Sequence, residues 1–156
     1  MNRKLFLGAA LAALPEAAFA TPNPGLWEVK GKTTDVAFSS DAIPAAMLDM
    51  IKNQIMSQPG QDHQQCVTAE DIENAPEMLV KSSESACEYE RFDMSGGTLD
   101  AVAVCNFPQG GTGRMDMTGR YTDTTYTTRS KITMADGPMG SMTIHAESTG
   151  TRIGDC

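Results

Sequence analysis

Histidine, tryptophan and basic residues are scarce in this sequence of 156 residues. It has two histidines and one tryptophan, and 12 lysines and arginines stand against 20 aspartates and glutamates, for a net charge of −8 at pH 7. A nucleic-acid-binding protein normally carries a basic stripe that displaces counterions from phosphate. The acidic balance therefore excludes nucleic acid as a partner and favours a soluble, monomeric protein.

Patterns typical of catalytic and metal sites are also missing. The sequence has no GxSxG element to present a serine nucleophile, no CxxC pair and no Cys/His cluster. His145 is predicted to point outward from a strand, and His63 lies in a polar stretch, so neither is predicted to act as a base. Two closely spaced carboxylate pairs do not stand out from the many other acidic residues: Asp71 with Glu73, and Glu88 with Glu90. No catalytic residue, cofactor or metal is predicted, and the protein is not expected to be an enzyme.

The amino terminus has the features of a secretory signal peptide. Arg3 and Lys4 precede an apolar stretch from Leu5 to Leu14, and residues 18–20 (Ala-Phe-Ala) form a small-x-small cleavage site. That stretch is about half of the roughly twenty residues that a membrane-spanning helix needs. We predict export to the periplasm or the medium, cleavage before residue 21, no membrane anchor, and one domain over residues 21–156.

Four cysteines follow this leader: Cys66, Cys87, Cys105 and Cys156. An even number of cysteines in an oxidising compartment indicates two disulfides. Free thiols or a metal site are the alternatives, but the sequence has no cysteine and histidine spacing to support a metal. A predicted hairpin pairs Cys87 with Cys105, which leaves Cys66 with Cys156 by elimination.

Two extended stretches around residues 95–97 (Ser-Gly-Gly) predict this hairpin. The glycines are typical of a three-residue loop that closes two antiparallel strands. If Met94 faces Thr98 across the loop, the register places Cys87 directly opposite Cys105. The two Cα atoms would then lie at a spacing that a disulfide accepts.

Three later stretches alternate apolar and polar residues with the period of two that indicates half-buried strands. Turns near residue 123 and over residues 135–138 join them into an antiparallel meander. One register satisfies both faces, and its facing pairs are Tyr121 with Tyr126, Met115 with Ile132, Asp116 with Lys131, Met134 with Met142, Ile132 with Ile144, and Arg129 with Glu147. The meander has one apolar face that another part of the chain must cover.

The amino-terminal half is predicted to supply a further strand and a helix. Leu26–Phe38 is predicted to be a strand with a bend near Gly31, where the parity of its apolar residues switches. Ile43–Ser57 is predicted to be a helix with Pro44 in its first turn. Its apolar stripe consists of Met47, Leu48, Ile51 and Ile55.

A second, short helix is predicted to begin at Thr68, which is placed to cap it together with Asp71. Pro76 is predicted to interrupt or restart this helix. The sequence therefore predicts a mainly β fold with a minor α component. It consists of an antiparallel meander in a curved sheet or partial barrel, one amphipathic helix, one short helix and two disulfides.

The apolar face of the meander is the candidate binding surface. Its residues are Met115, Met117, Tyr121, Tyr126, Ile132, Met134, Met142 and Ile144. Flexible methionines fill a core well, and they also line adaptable pockets. Thioether sulfur is in addition a soft ligand for Cu(I), which makes four of these residues an alternative metal set: Met115, Met117, Met134 and Met142.

Several short motifs together resemble the bacterial domain of unknown function 3617 family. In chain order they are Pro24-Gly25-Leu26-Trp27-Glu28, Cys66-Val67-Thr68 before an acidic helix start, the Cys87 and Cys105 pair, Met- and Thr-rich strands, and Arg152-Ile153-Gly154-Asp155-Cys156. The resemblance spans nearly all of residues 21–156. It implies a periplasmic or secreted protein of proteobacterial type, and it supplies no catalytic residues.

These observations predict a non-catalytic binding protein whose partner is an apolar small molecule or an envelope protein. Two alternatives remain open at this point. One is Cu(I) binding through the methionines, and the other is a purely structural role in the cell envelope.

Overall fold

The computed structural model describes residues 21–39, 43–60, 62–76, 86–106, 111–137 and 140–156, so the predicted leader lies outside the described residues. Within these ranges the chain forms seven strands and two helices. In chain order they are β1 (Gly25–Ser39), α1 (Ala45–Met56), β2 (His63–Val67), α2 (Ala69–Glu73), β3 (Ala86–Ser95), β4 (Thr98–Asn106), β5 (Thr112–Tyr121), β6 (Thr125–Gly137) and β7 (Gly140–Gly154).

All seven strands belong to one antiparallel sheet with the order β2-β1-β7-β6-β5-β4-β3. The sheet curls into a half-barrel, which confirms the predicted fold class. Strands β3 to β7 follow one another as a meander. Strand β1 pairs with β7, from the far end of the chain, and brings β2 with it.

The predicted register of the last three strands is confirmed. Tyr121 faces Tyr126 between β5 and β6, and all other predicted pairs are also observed. Arg129 Nε donates a hydrogen bond to Glu147 Oε1 at 3.0 Å on the solvent side. Hydrogen bonds from Arg129 and Lys32 lower the pKa of Glu147 below its ordinary value. The register was predictable because a shift of one residue would move every apolar side chain to the wrong face.

The turn between β3 and β4 is shorter than predicted. Ser95, not Met94, faces Thr98, so the loop contains only Gly96 and Gly97. Their φ angles are 57° and 78°. A two-residue turn with positive φ at both positions matches the right-handed twist of the flanking strands, and glycine adopts it without strain.

A β-bulge between Tyr89 and Arg91 compensates for the shorter turn. The extra residue shifts the register back by one, so that Cys87 faces Cys105 as predicted. Their Cα atoms are 3.9 Å apart and the two cysteines form a disulfide. The predicted pairing is therefore confirmed, although the predicted turn was wrong.

The second predicted disulfide, between Cys66 and Cys156, is also confirmed, with a Cα–Cα distance of 5.7 Å. It links strand β2, at one edge of the sheet, to the chain after β7. Its two cysteines are 90 residues apart in sequence, whereas those of the hairpin disulfide are 18 apart.

Strand β1 bends at a different place from the one predicted. The pairing with β7 shifts between Thr33 and Asp35, and not at Gly31. Thr34, which is exposed, is the extra residue and has no partner on β7. It switches the parity of the strand, so that Trp27 and Val36 lie on the same side of the sheet. The alternation of apolar residues shows that their parity changes somewhere in the polar stretch between them, but it does not identify the residue at which the strand bends.

Helix α1 starts later than predicted, because Pro44 is its N-cap and not part of its first turn. Leu48, Ile51 and Ile55 are half-buried, and the helix lies against β1. Met47, which the sequence placed in the same stripe, is 52% exposed. It lies at the edge of the stripe, where the helix surface already turns towards solvent.

Helix α2 begins as predicted. Thr68 Oγ1 accepts a hydrogen bond from the backbone N–H of Asp71 at 3.1 Å, and Asp71 Oδ2 accepts one from the backbone N–H of Thr68 at 2.9 Å. This reciprocal capping box satisfies two backbone donors that a short helix leaves unpaired. The helix ends at Glu73, and the predicted continuation after Pro76 lies outside the described residues.

Most of the core lies on one side of the sheet, which we call the inner face. Trp27 is 2% exposed, and Val29, Val36, Ala101 and Ala103 are also buried. The buried residues of β1 on this face are thus large, and those of β4 are small. Alternation along each strand places the methionines and tyrosines of the meander on this same face.

Gly150 of β7 provides a test of this packing. A Cβ atom at this position would fall inside the ring of Tyr126, whereas a Cβ atom at Gly154 in the same strand would meet nothing within 4 Å. We expect Gly150→Ala to lower the free energy of unfolding in urea by about 1–3 kcal/mol, as overpacking does. The matched control, Gly154→Ala, should stay within about 0.5 kcal/mol of wild type. Equal effects of the two substitutions would contradict the described contact.

Removal of each disulfide tests their relative importance. In the chain-entropy model, a loop of about 90 residues contributes about 4.6 kcal/mol and one of about 19 residues about 3 kcal/mol. We expect the Cys66→Ala/Cys156→Ala variant to melt at a lower temperature than the Cys87→Ala/Cys105→Ala variant in differential scanning calorimetry. Comparable shifts would show that loop length does not set the ranking.

Candidate functional site

The structure brings the eight predicted binding-surface residues to the inner face of the sheet. Strand β5 contributes three of them, β6 three and β7 two, and neighbouring strands set them in rows across the sheet. Met115, Ile132 and Ile144 form one such row, and Met134 and Met142 belong to the next. All eight are half-buried except Tyr121, which is buried. The face is therefore only partly shielded from solvent.

A pocket of about 290 Å³ lies at one end of the inner face. Three of the eight predicted residues line it, namely Met117, Tyr121 and Tyr126. The other five lie further along the face, towards the opposite end of the strands. The predicted surface is therefore divided into a pocket and a continuing apolar stretch.

Residues that the sequence analysis did not assign to the site complete the pocket. Trp27 of β1 and Leu99 of β4 line its wall, and Ile72 and Ala75 come from α2 and the residues after it. Ala75 is 8% exposed although it follows a helix of only five residues. The α2 segment therefore lies over one end of the inner face and forms part of the wall of a pocket that is partly open to solvent.

The aromatic wall is held by specific contacts. The rings of Trp27 and Tyr126 are 5.9 Å apart, centroid to centroid, in a tilted arrangement. Trp27 Nε1 donates a hydrogen bond to the carbonyl oxygen of Asn23 at 3.1 Å, which satisfies the only polar atom of the indole. Gly150 leaves room for the Tyr126 ring. These contacts fix both rings before any ligand binds.

Burial raises the pKa of the Tyr126 phenol, and a hydrogen bond with Ser148 opposes this effect to a smaller extent. The phenol is therefore neutral in the physiological pH range. Burial alone raises the pKa of Tyr89, which also lies on the inner face. Tyr89 and Tyr126 thus add no charge to this face.

Two residues that carry a charge at neutral pH, Asp71 and Arg120, are among those that line the pocket. The carboxylate of Asp71 accepts hydrogen bonds from the backbone N–H and the hydroxyl of Thr68 at 2.9 and 2.8 Å. Arg120 is paired with Thr127, and both residues are exposed on the outer side of the sheet. Apart from these two residues, apolar side chains form most of the pocket wall.

The four methionines proposed as a copper set are spread along the inner face. Met134 and Met142 face each other directly. Met117 faces Ser130, which is four residues from Met134 along β6. At about 3.3 Å per residue, that separation is about 13 Å along the strand. The register thus brings two thioethers together and not all four, and copper binding stays a prediction.

The other candidate groups do not converge. Asp71 serves as a helix cap, and His145 is exposed on the outer side opposite Lys131. His63 begins the edge strand β2 and is also exposed. In the part of the chain that the structure describes, no three His, Cys, Asp or Glu residues are grouped to hold a metal ion.

The fold and the site define a small disulfide-bonded β protein whose curled antiparallel sheet carries an apolar pocket on its inner face. The chain belongs to the family described as "Protein of unknown function (DUF3617)", whose model matches residues 22–156. The resemblance seen in the sequence motifs is thereby confirmed. Neither the curated proteins nor the solved structures include a significant match. Neither described helix is long and apolar enough to cross a membrane.

Proposed function

We propose that this protein is a non-catalytic binding protein that holds a small, uncharged apolar molecule in the pocket on its inner face. The observation that carries this proposal is the apolar pocket of about 290 Å³ between the aromatic wall of the sheet and the α2 segment. Ligand sites are typically concave, mostly apolar and largely formed before the ligand arrives. The pocket is concave and mostly apolar, and its volume lies just below the usual range of about 300–1,000 Å³.

The chemistry of the wall selects the class of ligand. Trp27, Tyr121 and Tyr126 offer flat aromatic surfaces, and Met94 and Met117 offer flexible thioethers. A charged ligand would lose its hydration against a wall that is mostly apolar, which costs several kcal/mol. An uncharged molecule gains about 25 cal/mol for each Å² of apolar surface that it buries. The wall therefore favours a neutral, apolar and compact ligand.

Two features argue that this cavity is a site and not a packing defect. Apolar side chains surround it on the sheet side, and a separate segment, α2, covers it from the other side. That segment is held by its capping box, and the Cys66–Cys156 disulfide anchors the strand just before it. Local covering segments of this kind can open without unfolding the sheet. Because the pocket is partly open to solvent, entry and release of a ligand do not require the sheet to unfold.

A fluorescence experiment with a matched control tests the proposal. The probe is N-phenyl-1-naphthylamine, an uncharged apolar fluorophore, added to the oxidised protein spanning residues 21–156. Trp27 is the only tryptophan and lines the pocket, so the probe should quench its emission. Met117→Gln places an amide in the apolar wall and should weaken binding about tenfold, or about 1.4 kcal/mol.

The control is Met142→Gln, since Met142 lies on the same face and is also half-buried but does not line the pocket. We expect its affinity for the probe to equal that of wild type, and circular dichroism should show that both variants are folded. Equal affinity of the two variants, or failure of wild type to bind the probe, would overturn the proposal. If the probe binds as expected, native mass spectrometry of protein prepared from its natural host gives the mass of the natural ligand.

A further inference from the structure

Helix α1 carries an unusual set of exposed side chains. Among the described residues, only four large hydrophobic side chains are classed as exposed: Met47, Met50, Met56 and Ile153. Three of the four are methionines of this one helix. Their exposed fractions are 52% for Met47, 69% for Met50 and 38% for Met56.

The helix separates its apolar residues by chemical type. Leu48, Ile51 and Ile55 are half-buried, and the helix lies against β1. Lys52 Nζ, on the same side, forms an ion pair with Asp35 of β1 at 2.9 Å. The packed positions are therefore branched aliphatics, and each exposed large apolar position is a thioether.

The three methionines do not form one patch. At about 100° per residue, Met50 lies about 60° around the helix from Met47. Met56 lies about 180° from Met47 and about 120° from Met50. A single partner surface or a single soft metal ion would require them to share one side of the helix. What they share instead is access of solvent to sulfur.

We propose that α1 is an oxidation site, at which peroxide converts Met47, Met50 and Met56 to methionine sulfoxide before the described methionines of the inner face react. The sulfur lone pair attacks one peroxide oxygen, the O–O bond breaks and an S–O bond forms. The second oxygen leaves as water after it takes up the proton of the first. Sulfur loses two electrons and the peroxide gains them, so hydrogen peroxide is the only co-reactant.

The location decides which sulfoxides the fold tolerates. A sulfoxide on α1 projects into water, and the packed stripe of the helix is unchanged. A sulfoxide at Met94 or Met117 would place a polar oxygen in the apolar pocket wall. Preferential oxidation of α1 therefore leaves the inner face intact, and reductases can reverse the modification.

Peptide mapping tests this inference. The folded, oxidised protein spanning residues 21–156 is treated with limiting hydrogen peroxide, digested, and analysed by mass spectrometry for sulfoxide at each methionine. We expect Met50 to react first, and the three α1 methionines to react about tenfold faster than Met94, Met115 and Met117. Equal rates at all methionines, or α1 methionines that stay reduced while the inner ones react, would overturn the proposal.

A variant separates accessibility from intrinsic reactivity. Met47→Leu/Met50→Leu/Met56→Leu keeps the helix propensity, because leucine and methionine are similar helix formers. Under the same limiting peroxide, sulfoxide should then appear on the inner-face methionines, and total oxygen uptake should slow. In guanidinium chloride the wild-type rates should become equal. Persistence of the α1 preference in the unfolded chain would show that the folded position of the helix does not determine it.

Discussion

The backbone pairing between β1 and β7 is the interaction on which the rest of the structure depends. It joins the amino-terminal strand to the last strand of the meander along thirteen residue pairs. This pairing brings Trp27 next to Tyr126 and places Val36 opposite Ile144. Strand β2 pairs only with β1, so the α2 segment that follows β2 is also positioned through it. Without this one long-range contact, the meander would have an apolar face and no pocket.

Sequence alone predicted the parts of the fold in which local constraints agree. In β5, β6 and β7 the alternation specifies both faces and the turns are short, so Met115 could be matched with Ile132 and Arg129 with Glu147. The Cys87 and Cys105 pair was predicted through a wrong turn. The two-residue loop and the bulge after Tyr89 shift the register in opposite directions, and the errors cancel. The capping box at Thr68 was predictable because it involves residues only three apart.

The rest of the site depends on contacts between distant parts of the chain. Nothing in residues 68–75 indicates that Ile72 and Ala75 meet Met117 and Tyr121, because their meeting requires the full sheet order. Trp27 was recognised as part of a strand but not as part of the site for the same reason. Its pairing with Arg152 spans most of the chain. A sole tryptophan on the apolar side of a strand was the one signal that pointed to it.

The linkage of Cys66 to Cys156 has a consequence for the order of events as the chain is made. Synthesis and any transfer across a membrane proceed from the amino end, so Cys66 becomes available before its partner, and Cys87 is the next thiol to appear. The first bridge that oxidation can form is therefore a non-native one, between Cys66 and Cys87. If that bridge forms, reaching the native bonds requires thiol exchange, which a catalyst of disulfide reshuffling accelerates.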